Sequence, residues 1–133
     1  MKIHNLNETQ KKEIMEKITE KLKEKGVIFA YIHGSFLTRN FRDIDIAIYL
    51  KEGGDVLTEV KMEVELEKIL GFPVDVRVLN SAPLTFRFRV IRDGLLLFSR
   101  DERIRSDFEA LTISEYHDFS YFRKRYRRDV LGI

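Results

Sequence analysis

The chain contains no cysteine. Disulfide scaffolds, thiolate metal sites and cysteine nucleophiles are therefore excluded. Cysteine usage leaves the compartment open, and the reducing cytoplasm is the default expectation for a chain of bacterial or archaeal character. Histidine is scarce too. His4, His33 and His117 are scattered and give no helical metal-binding pair. Long apolar runs are missing: stretches such as Leu95–Phe98 are far too short to span a bilayer, so no membrane association is expected. Met1 to Lys25 is charged throughout and shows no apolar leader core. Charge of one sign is not in excess. Lys plus Arg is 24 and Asp plus Glu is 22, a formal +2, too near neutral to argue nucleic-acid binding from charge alone. No repeat, linker or low-complexity segment interrupts the chain.

What is present is one domain's worth of sequence. The 133 residues are 44% hydrophobic, which fits a folded globular chain with a single core. The expected organisation is a single domain over residues 1–133. It divides into an N-terminal helix (1–26), a sheet core (27–100) and a C-terminal helical segment (101–133). Basic residues are mostly Lys in residues 1–70 and nearly all Arg in residues 71–133. Arginine's planar fork suits anion and partner contacts.

Asn7 and Gln10 form a capping-box pattern, so a helix opens there, with Ile14, Ile18 and Leu22 on one stripe and Gly26 as its stop. Val27–His33 reads as a strand broken by Gly34-Ser35. Asp43–Leu50 alternates cleanly and reads as a second strand. Val56–Leu70 reads as a helix with Val60, Val64, Leu66, Ile69 and Leu70 facing inward, closed by Gly71-Phe72-Pro73. Val74–Leu79 is a third strand. Ser81 as N-cap and Pro83 open a further helix that runs to Asp93-Gly94, and Leu95–Phe98 is a short strand. A last helix covers Asp101 to Val130. The order predicts an α/β (α+β) fold, a small mixed sheet with helices mainly on one face.

The chemistry-bearing pattern is three carboxylates on two strands. Asp43 and Asp45 are two apart, so they project from one face, opposite Ile44, Ile46 and Ile48. Asp75 and Arg77 repeat the arrangement against Val74, Val76 and Val78. If the strands are neighbours, Asp43, Asp45 and Asp75 converge, and three such carboxylates repel one another unless a cation neutralises them. Oxygen-only ligands suit Mg²⁺ or Mn²⁺, and two such ions clamp an in-line phosphoryl displacement. Just upstream, Gly34 allows a close backbone approach to a phosphate, and the Ser35 hydroxyl and following amides can bond it. Arg39 and Arg42 lie in the connecting segment, where they can reach phosphate oxygens or simply stay in solvent. Blander readings stand beside these. Asp43 and Asp45 can be solvated residues on an open sheet face, Asp75 with Arg77 a surface ion pair, Ser35 a helix cap and His33 a packed strand end.

His33-Gly34-Ser35, Asp43-Ile44-Asp45 and Val74-Asp75-Val76 together resemble the signature of the DNA polymerase β-type nucleotidyltransferase superfamily. The chain's size, Leu79-Asn80 with Ala82-Pro83, and Gly94–Phe98 resemble its minimal nucleotidyltransferases (MNT), antitoxin halves of HEPN/MNT toxin–antitoxin pairs. The resemblance runs from about Val27 to the C-terminus. It implies the polymerase β-like fold and Mg²⁺-dependent transfer of AMP from ATP to a tyrosine hydroxyl of a HEPN toxin partner. It also implies roles for the matching residues. Asp43, Asp45 and Asp75 are the metal-holding and catalytic carboxylates, Asp75 beside the attacking hydroxyl. Gly34 and Ser35, helped by Arg39 and Arg42, bind nucleotide. The chain departs from the family in one place: only Phe36 to Arg42 separates Ser35 from Asp43, where the family usually carries a few more residues. Two further readings are a catalytically weak member of the fold that neutralises a toxin by covering it, and a nucleotidyltransferase for a small-molecule acceptor.

Tyr116, Phe119, Phe122 and Tyr126 line one face of the last helix among basic residues. The expectation is a core-facing stripe with a solvated basic face. A partner-docking helix, then a basic RNA-facing patch, are the other readings, with Arg87, Arg89 and Arg92 extending that surface. Nucleic acid is not an expected partner of the whole chain, and homo- or hetero-oligomers are compatible with the sequence.

Overall fold

The computed structural model describes residues 2–133; Met1, the first residue of the expected N-terminal segment, lies outside the described residues. Helix α1 (Glu8–Glu24) opens on the expected reciprocal cap: Gln10 N donates to Asn7 Oδ1 at 2.8 Å and Asn7 N to Gln10 Oε1 at 3.0 Å. Gly26, at φ +76°, turns the chain into β1 (Val27–His33). A single 3-10 turn, Gly34–Leu37, leads towards β2 (Ile44–Leu50). Helix α2 (Val56–Leu70), β3 (Val74–Val78), α3 (Leu84–Asp93), β4 (Leu95–Ser99) and α4 (Glu102–Tyr126) follow, and a π-helical turn, Arg127–Leu131, extends α4. The strands form one mixed sheet in the order β3-β2-β1-β4. β1 is antiparallel to β2 and β4, and β2 is parallel to β3.

The alternation read from the sequence sorts the two faces. Ala30, Ile32, Ile44, Ile46, Ile48, Val74, Val76 and Val78 point to one side and bury Ile14, Ile18 and Leu22 of α1 with Met62 and Leu66 of α2. Phe29, Tyr31 and Ala47 point to the other and meet Val90 of α3 with Ile104 and Phe108 of α4. The helices are thus shared between both faces rather than held mainly on one: α3 and α4 shelter the β1 side of the second face, while its Asp45 and Asp75 positions are only half-buried.

Helix α2 is rolled relative to the expected register. Met62 and Leu66 face in, whereas Val60, Val64 and Ile69 are 45, 46 and 44% exposed. The cause is a ladder of glutamates one turn apart. Val78 N donates to Glu59 at 2.8 Å, Val76 N to Glu63 at 2.8 Å and Val74 N to Glu67 at 3.0 Å. These are the outward amides of edge strand β3, so α2 turns its carboxylates rather than its valines towards the sheet. Ser81 is not a helix cap. It closes a 3-10 turn, Leu79–Ser81, and Pro83 takes the cap position of α3. Asn80 fixes that turn by clamping both backbone groups of Leu50, accepting at 3.0 Å and donating at 2.7 Å.

Helix α4 outruns the sheet. Its 25 residues extend about 37 Å, against about 23 Å for the longest strands. The expected core-facing stripe therefore holds only at Tyr116, which stacks on Phe88 at 3.8 Å. Phe119, Phe122 and Tyr126 are exposed, as is every residue from 121 to 133. Arg87 does not extend this surface: it donates to Ala82 O and Thr112 Oγ1 and pairs with Glu115, tying α3 to α4.

Candidate active site

Register places the carboxylates. Asp45 lies opposite Asp75 in the parallel β2–β3 pair and opposite His33 in the antiparallel β1–β2 pair. Asp43 stands one residue before β2, where its charge acts on the Asp45 carboxyl. Asp75 leans on Arg77, whose Nε lies 3.4 Å away, so the ion-pair reading of that strand also holds. Burial, then the neighbouring charges of Asp43 and Asp75, push the Asp45 carboxyl up to about 7. Among the described residues no three His, Asp or Glu side chains are drawn together as a finished metal cage. The pair Asp43–Asp45 nevertheless has crowded, hard oxygen donors whose mutual repulsion a cation relieves.

Gly34 lies directly against Asp45. Its φ is +79°, and a Cβ built there would overlap Asp45 Oδ2, so the position requires glycine on two counts. The 3-10 turn that begins at Gly34 is too short to act as a helix dipole, and Ser35 caps nothing. The loop after it is held from below. Lys11 of α1, buried, donates from Nζ to Phe36 O at 2.6 Å and Arg39 O at 3.1 Å, and lies over the Phe36 and Phe41 rings. His4 and Phe41 exchange backbone hydrogen bonds at 2.8 and 3.1 Å. These ties let so short a segment span from Ser35 to Asp43 with defined geometry.

The sequence-predicted nucleotide residues fall on two sides of the carboxylates. Ser35, Arg39, Arg42 and Asp43 line one cavity of about 560 Å³. Gly34 and Asp45 line a second of about 440 Å³, with Phe86 and Arg89 of α3. Each volume is adequate for part of a nucleotide. The sequence pattern does not single out Phe86 and Arg89 as site residues. Their signal was positional: Phe86, Arg89, Val90 and Asp93 recur at helical spacing, and all four line this cavity. His33 meets Phe86 edge-on at 5.6 Å. Its Nε2 is buried without a hydrogen-bond partner, and desolvation lowers its pKa.

Carboxylates of the sheet thus stand beside a glycine-led turn and two cavities. Residues 16–103 match the family described as Polymerase beta, Nucleotidyltransferase, and the chain belongs to that family. It is a nucleotidyltransferase, and a nucleotide is its substrate. A Methanocaldococcus jannaschii protein with an inferred assignment as a protein adenylyltransferase is 35% identical over 86 residues, 62% of this chain and 92% of that relative. A chain from the solved complex of tri-AMPylated Shewanella oneidensis HEPN toxin with MNT antitoxin superposes with a TM-score of 0.74. Its identity is 24%, over 91% of this chain and 98% of that chain. A chain of a toxin–antitoxin structure with AMP-PNP gives a TM-score of 0.75 at 25% identity, over 88% and 98%. No helix among the described residues is long and apolar enough to cross a membrane.

Proposed function

We propose that the protein is an antitoxin that transfers AMP from ATP to a tyrosine hydroxyl of a HEPN toxin, working in the cytoplasm. The observation that carries the chemistry is the Asp43–Asp45 pair, with Gly34 against Asp45 and the Asp45 pKa raised to about 7. The acceptor is carried by the relatives, one inferred to adenylylate protein and one crystallised with an AMPylated HEPN toxin.

Asp43 and Asp45, joined by Asp75, would hold Mg²⁺ or Mn²⁺, which supplies positive charge against the phosphates and lowers the pKa of the attacking hydroxyl. The chain's own groups do the rest. Gly34 and Ser35 offer backbone and hydroxyl donors to the β- and γ-phosphates. Arg39 and Arg42 line the Ser35 cavity and can neutralise the departing pyrophosphate. Asp75 sits on the open side of β2 and accepts the tyrosine proton once freed from Arg77. The tyrosine oxygen then bonds to the α-phosphorus as the bond to pyrophosphate breaks. The exposed aromatic and basic end of α4 is the surface offered to the toxin.

That same surface favours a second reading, neutralisation by covering the toxin. Incubating the purified protein with Mg²⁺, α-phosphate-labelled ATP and lysate of its source organism tests the first. Label on one small protein, lost with Asp43→Asn, supports it. No label on any protein shifts the function to the steric reading or to a small-molecule acceptor.

A further inference from the structure

The two edges of the sheet are treated in opposite ways. On β3, three glutamates of α2 occupy successive outward amides, as described above. On β4, no other element hydrogen-bonds to Leu95, Leu96 or Leu97 among the described residues; their only backbone partners lie on β1. The edge carries neither a lysine nor a proline, and Leu95 is 47% exposed. Natural sheets rarely leave an apolar edge unguarded unless something pairs with it.

Beside the edge lies an open cavity of about 420 Å³, walled by Leu95, Leu96 and Leu97 and by Met15 and Thr19 of α1. Its rim is charged in a particular order. Lys12 stands at one end, Glu16 and Glu20 towards the other, about 12 Å from Lys12 to Glu20. All three are exposed, and none forms an ion pair within the chain among the described residues. A two-fold axis through the middle of β4 would reverse this order in the second copy. Lys12 of each copy then faces Glu20 of the other, while β4 pairs antiparallel with its twin. A surface that is complementary to itself under a two-fold rotation fits a second copy of this chain.

We infer that two copies of this chain join through the β4 edges into one continuous eight-stranded sheet, with α1 helices side by side and Lys12–Glu20 pairs at both ends of the seam. The carboxylates, on β2, the start of β3 and the residue before β2, lie away from the seam. The dimer therefore leaves both active sites open, and the inference stands independently of the acceptor assigned above.

Sedimentation equilibrium of the purified chain over a range of concentrations tests this, with circular dichroism confirming that each variant is folded. The native chain is expected to dimerise. Lys12→Glu and Glu20→Lys are each expected to weaken dimerisation at least tenfold, and the two together to restore it at low salt. Leu95→Lys gives a second disruption at an already exposed position. The edge amides of Leu95–Leu97 are expected to lose hydrogen-exchange protection on dilution. A chain that stays monomeric at every concentration overturns the inference. So does a dimer that neither charge reversal alters, or whose double variant is no better than the singles.

Discussion

At Asp45 the sheet holds a carboxylate whose ionisation is opposed by burial and by Asp43 and Asp75. Its folded pKa, about 7, lies above the ordinary 3.8. Folding therefore favours the protonated form. The stability this gives is full below about pH 4 and is lost as pH rises through about 7. Asp45→Asn removes that loss. In cation-free buffer it is expected to gain about 1–2 kcal/mol over the native chain at pH 8 and little at pH 4, the partial exposure of the site limiting the effect. Urea melts at the two pH values check this; an equal difference at both contradicts the electrostatic account. Gly34→Ala places a methyl group against Asp45 Oδ2 in a left-handed backbone. It is expected to cut nucleotidyl transfer more than tenfold while destabilising the fold by only about 1–2 kcal/mol, read by labelled transfer and a thermal melt. The positions of Asp45 and Asp75 on the sheet, of Asp43 just before it and of the turn at Gly34-Ser35 were legible because strand alternation and one glycine constrain them. Phe86 and Arg89 were not, since a cavity-facing helix position has the same residue types as a solvent-facing one.

Among the elements, the strands and the first helix were legible to within a residue at each end. β-branched alternation and reciprocal caps are local signals. The facing of α2 was not. Val60 and Val64 have the right chemistry for a core, but α2 faces Met62 and Leu66 inward and sets Glu59, Glu63 and Glu67 along edge strand β3, whose amides need partners. Burial, and behind it repulsion from Asp75 and Glu67, raises the Glu63 pKa despite the Val76 amide it accepts. Glu63→Ala leaves that amide without its partner and is expected to cost about 1–3 kcal/mol in a urea melt. Val60→Ala, on the exposed side, is expected to change stability by no more than about 0.5 kcal/mol. If the valine substitution proved the costlier, the ladder would not be what orients α2.

For the molecule as a whole, the length of α4 relative to the sheet decides what the C-terminal end can do. A periodic aromatic stripe reads as core in any sequence, and only the extent of the sheet shows that Phe122 and Tyr126 have nothing to cover. Replacing both with Ala is expected to leave the melting temperature of the isolated chain nearly unchanged and to weaken binding of a HEPN partner at least tenfold, measured by calorimetry. A large drop in melting temperature with unchanged binding would place the stripe in the fold instead.

The most direct test of the function is the mass of a HEPN partner co-expressed with this chain, with the modified residue located by fragmentation. With the native chain, the partner is expected to carry AMP on a tyrosine and to be silenced. With Asp43→Asn it is expected to be unmodified and active. A partner that is unmodified and equally silenced by both forms would contradict the enzymatic account and leave neutralisation by binding alone.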